Sequence, residues 1–101
     1  MTQLASTKAF VMRPATRHDC NITVKLETSF SSIPCQVQNI SLTGFMASTT
    51  SFASLALGQV VTISQAELGK LQGIVIWTSM GKLGMEFSRP ISNAKLSAIL
   101  K

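Results

Sequence analysis

Residues 71–87 read Leu71-Gln72-Gly73-Ile74-Val75-Ile76-Trp77-Thr78-Ser79-Met80-Gly81-Lys82-Leu83-Gly84-Met85-Glu86-Phe87. Leu71 to Trp77 is a short run, apolar on both faces except at Gln72, with the length of a strand. Met80-Gly81-Lys82 makes a turn. Leu83, Met85 and Phe87 then alternate with other residues, the period of a half-buried strand. Pro90 ends it, because proline has no backbone donor for the ladder. Upstream, Val60 to Ile63 reads as a strand. Residues 48–58, rich in Ser, Thr and Ala and ending in Leu57-Gly58, read as a loop. Phe45-Met46-Ala47 is a short strand. Ile33, Cys35 and Val37 alternate, as do Ile22, Val24 and Leu26, with a turn at Ser29, Ser31 and Ser32 between them. Downstream, Ser92 suits a helix N-cap, and Leu96, Ile99 and Leu100 follow at helical spacing. These six strands and a C-terminal helix predict an all-β fold, a small antiparallel barrel. The helix either caps an open end of the barrel or makes a dimer contact. Residues 1–11 show no period and read as a flexible N-terminal arm, with 12–101 as one domain.

The chain has 101 residues, room for one domain. Its apolar fraction of 46% is ordinary for a globular protein. No apolar run approaches the length of a membrane span. The opening MTQLASTKAFVM lacks the apolar stretch of a secretion signal, so a cytoplasmic location is expected. The net charge of +5 favours an anionic partner. The lysines at 8, 25, 70, 82, 95 and 101 are scattered, however, which argues against a duplex-binding face that must neutralise many phosphates. A compact anion held by two or three cations fits better. Single-stranded nucleic acid needs exposed aromatics in a basic groove, and most of the six aromatics sit at apolar-face positions. No DNA or RNA partner is therefore expected. Two cysteines and one histidine fall short of a zinc ligand set, so no metal is expected. Cys20 and Cys35 read as reduced thiols, or as a disulfide if their strands pair. No pair of acids reads as a general acid and base, and His18 has no nucleophile partner. The chain is not expected to be an enzyme, and it shows no cofactor motif.

Two short patterns carry the chemistry. Arg13-Pro14-Ala15-Thr16-Arg17 places two arginines four apart just ahead of the first strand. Pro14 disfavours the helical region for Arg13, so the two guanidinium groups can approach one compact ligand from two sides. Asn39-Ile40-Ser41-Leu42-Thr43-Gly44 closes the second strand. Asn39 and Ser41, two apart, point to one face if the strand continues through them. Gly44 serves a turn with positive φ, or lets backbone come close to a ligand. In this order, on an all-β pattern, RxxxR and NxSxxG resemble the PilZ domain, the bacterial receptor module for cyclic di-GMP. The resemblance runs from about Met12 to about Arg89.

That resemblance implies a six-stranded PilZ-type barrel with a C-terminal helix and a ligand site that includes Arg13, Arg17, Asn39, Ser41 and Gly44. The arginine fork matches both a phosphate and the N7 and O6 acceptors of guanine, which a lysine cannot do. The family often has Asp where this chain has Asn39, so one acceptor oxygen is exchanged for an amide donor. Met12 holds the family position thought to influence how many ligand molecules bind. His18 stands within reach of a phosphate or lies on the surface. Trp77 and Gly84 resemble the family's aromatic and glycine in the last two strands. Trp77 reads as core or as a stacking platform, and Gly84 as a place of close ligand approach or of relieved crowding. The implied function is a receptor whose N-terminal arm becomes ordered on the ligand and presents a surface to a downstream protein partner, in motility, exopolysaccharide or biofilm control. The alternative is a PilZ-type interaction scaffold that does not bind the nucleotide.

Overall fold

The structure is a computed structural model, and it describes residues 16–49 and 55–101. Six strands and one helix follow in order: β1 His18–Glu27, β2 Ser32–Ile40, β3 Gly44–Ser48, β4 Val60–Gln65, β5 Gly69–Ser79, β6 Lys82–Phe87 and α1 Asn93–Leu100. They close into an antiparallel barrel of order β1-β2-β3-β6-β5-β4, with β4 pairing back onto β1. The closing pair is short and joins Lys25–Glu27 of β1 to Thr62–Ser64 of β4. The expected all-β barrel with a C-terminal helix is what the chain forms. The arm expected at 1–11 and the residues Met12 and Arg13 lie outside the described residues.

Side-chain alternation builds the interior. Val24, Leu26, Ile33, Val37 and Ile63 are buried, and their neighbours along each strand point out. Phe45 and Phe87, on the neighbouring strands β3 and β6, meet edge to face with ring centroids 5.8 Å apart. The β5–β6 hairpin turns on Met80 and Gly81, with φ of 51° and 79°. Two residues at positive φ match the twist of the flanking strands. Strands β1 and β5 are longer than the alternation predicts, starting at His18 and Gly69 rather than Ile22 and Leu71. Ladder pairing extends a strand past the point where its side chains cease to alternate, and β1 carries a bulge between Asp19 and Ile22.

The helix starts as expected. Ser92 accepts a hydrogen bond from the Lys95 backbone N–H at 3.1 Å. Leu96 and Ile99 join the barrel core. Lys95 Nζ donates to the carbonyl of Leu68, a fully buried residue in the β4–β5 turn, at 3.0 Å. The helix thus closes the barrel end that carries that turn. The two cysteines are free thiols. Their strands do pair, but Cys35 lies opposite Val24, while Cys20 falls in the bulged part of β1.

Candidate functional site

Four strands present one outward row. Asn39 on β2 pairs with Met46 on β3, Met46 with Gly84 on β6, and Gly84 with Trp77 on β5. The row spans three strand spacings, about 14 Å. The neighbouring inward residues Ile40, Phe45, Met85 and Val75 are core, so the row is held on a rigid wall.

Arg17 stands at one end of the row. Its Nη1 donates to Asn39 Oδ1 at 2.7 Å. Residues from the two sequence patterns, 22 positions apart, therefore meet in the fold. Arg17 remains exposed, so the rest of its fork faces solvent. His18 is also exposed and opens β1 opposite Ile40. Asp19 pairs with Asn39 from the β1 side.

Trp77 and Gly84 form the other end. A Cβ added at Gly84 would lie 2.6 Å from Trp77 Cδ1 and Cε2, so the indole rests directly on the glycine backbone. A bulge between Val75 and Trp77 puts two consecutive side chains, Ile76 and Trp77, on the outside. Trp77 keeps 37% of its surface exposed and is not a core residue, which corrects that side of its sequence reading. A run apolar on both faces does not show where such a bulge falls. Gly84 gives close approach to the tryptophan ring of its own chain.

The Asn39–Gly44 segment also differs from its sequence reading. Strand β2 ends at Ile40, and Ser41 is only 2% exposed. Asn39 and Ser41 would share a face only on a strand through both, and the strand stops before Ser41. Ser41 Oγ accepts from the Thr43 backbone N–H at 3.2 Å and lies 3.4 Å from the Gly44 carbonyl. The Ser41 backbone N–H donates to that same carbonyl at 2.8 Å. Ser41 thus shapes the β2–β3 turn from inside. Gly44 does not have positive φ. An added Cβ there would run into the Met85 carbonyl and come within 3.1 Å of Glu86 Cα. The close approach at Gly44 is to the β6 backbone.

Sequence reasoning missed Met46, the half-buried outward side chain in the middle of the row. Its position between inward Phe45 and Ala47 was the available signal. Among the described residues no group of three or more His, Cys, Asp or Glu is placed to hold a metal. No described helix is long and apolar enough to cross a membrane. A model of the PilZ domain family matches residues 12–101 of the chain. No curated protein matches it.

Proposed function

The chain belongs to the PilZ domain family, and from that premise we propose that it is a cyclic di-GMP receptor without catalytic activity. PilZ domains in general are binding and adaptor modules. The observation that carries the reading for this chain is the Arg17–Asn39 hydrogen bond, which brings the two motif halves together at the head of the row ending in Trp77. An exposed guanidinium at one end suits a phosphate or the N7 and O6 acceptors of guanine. A half-exposed indole at the other suits the face of a base. Asn39 orients the Arg17 fork, Ser41 and Gly44 hold the turn below it, and Met46 supplies an apolar floor. In this reading Arg13 and Met12 also contact the ligand, as does the exposed His18. Capture of both arginines orders that segment and creates a surface for a downstream protein partner in the cytoplasm, in motility, exopolysaccharide or biofilm control.

Titration calorimetry with cyclic di-GMP, and with GTP and cyclic di-AMP as controls, tests the proposal. Binding of cyclic di-GMP with clear discrimination against both controls is expected, because adenine carries a donor where guanine has O6. Equal affinity for cyclic di-AMP would leave only generic anion capture. No binding at all would leave the scaffold reading.

A further inference from the structure

We propose that Glu86 reads guanine, accepting from the N1–H and 2-amino donors of a base stacked on Trp77. The inference rests on the cyclic di-GMP reading of the same surface. The edge of guanine with N7 and O6 suits an arginine fork, but the opposite edge carries two parallel donors and needs a pair of acceptors. Asn39 has one side-chain oxygen, and it already accepts from Arg17. Its amide nitrogen is a donor and faces a donor edge poorly. Ser41 is turned into the β2–β3 turn. A carboxylate elsewhere on this surface must serve.

The chain has four acids: Asp19, Glu27, Glu67 and Glu86. Glu27 faces Lys70 at 3.8 Å. Glu67 accepts from Gln65 at 2.6 Å in the β4–β5 turn. Asp19 lies beyond Asn39, at the opposite end of the row from Trp77. Glu86 is exposed, and its carboxylate has no hydrogen bond or ion pair among the described residues. It stands on the same strand as Gly84 and, two residues along, on the same outward face, about 7 Å away. Gly84 is where the indole rests. Gly44 and Ile74 flank Glu86 on the neighbouring strands, so no cation on either side claims it. A carboxylate at that distance meets the edge of a base lying on the ring.

The test compares wild type, Glu86→Gln and Asp19→Asn. Each is titrated with cyclic di-GMP and with the cyclic dinucleotide whose hypoxanthine bases lack the 2-amino group. Both substitutions are near-isosteric at exposed positions. Wild type is expected to prefer the guanine form by about 10–100-fold, the scale of a hydrogen bond to a charged group. Glu86→Gln removes most of that preference and lowers the affinity for the hypoxanthine form less than that for the guanine form, because hypoxanthine keeps N1–H and lacks only the 2-amino donor, while Asp19→Asn keeps the preference. Three results overturn the proposal: a preference retained in Glu86→Gln, a rise in affinity for both dinucleotides, which makes the carboxylate a mere repulsive neighbour, or collapse in Asp19→Asn instead. A wild type that binds neither dinucleotide overturns the receptor reading itself, so the two failures are told apart.

Discussion

Arg17 joins the two motif halves through a single 2.7 Å hydrogen bond, and its exposure separates binding from folding. Arg17→Ala should weaken cyclic di-GMP binding by about 2–4 kcal/mol, the scale of losing a desolvated, charge-assisted contact. Thermal stability should barely move. Arg17→Lys should not restore affinity, since an ammonium cannot make the planar fork. Calorimetry on both variants decides it, and normal binding by the lysine variant would show that charge alone is read. Gly84→Ala addresses the other end of the row. The new methyl group occupies the seat of the Trp77 ring, so the indole must swing away. Because Trp77 is the only tryptophan, its emission reports the displacement directly. A red-shifted spectrum together with weakened binding is expected, and an unchanged spectrum would refute the stacked geometry.

The turn between β2 and β3 shows how an element takes over residues that a motif assigns to a ligand. The buried Ser41 accepts from the N–H of Thr43, which is itself exposed. Ser41→Ala should therefore cost about 0.5–1.5 kcal/mol of folding stability, the net worth of a hydrogen bond. Gly44→Ala should cost about 1–3 kcal/mol, as overpacking does, because β3 and β6 must part to admit a methyl group against backbone. Urea unfolding of both variants measures this. A Ser41→Ala protein with wild-type stability and lost binding would return Ser41 to direct ligand contact. The N-cap at Ser92 was readable from its residue type and the apolar spacing behind it. The bulge that turns Trp77 outward was not, because a bulge follows from how two strands align and not from the alternation along either one.

At the scale of the whole barrel, burial pushes both thiols up. Desolvation is the main cause at each, the Asp19 charge adds to it at Cys20, and a Thr49 hydrogen bond partly offsets it at Cys35. The fold keeps these groups protonated where the unfolded chain would ionise them. Their contribution is complete below about pH 8.5, the ordinary thiol value, and is lost as pH rises through the raised folded-state values. Urea midpoints should fall above that pH, and a Cys20→Ser, Cys35→Ala variant should show a flatter alkaline limb. An equally steep limb in that variant would exclude the thiols as the cause. Local order in the sequence determined the strands, the hairpin at Met80-Gly81, the capped helix and the inward set such as Val24, Leu26 and Phe45. Alternation, turn chemistry and capping act over a few residues, so they are legible along the chain. The RxxxR and NxSxxG patterns were likewise legible as patterns. Only the tertiary structure decided that Arg17 grips Asn39, that Ser41 faces inward and that Trp77 lies on Gly84 with Glu86 beside it. The first depends on how β1 and β2 meet, the second on hydrogen bonds within the turn, and the third on a bulge in the β5–β6 hairpin, and none of these shows in the alternation of a single strand.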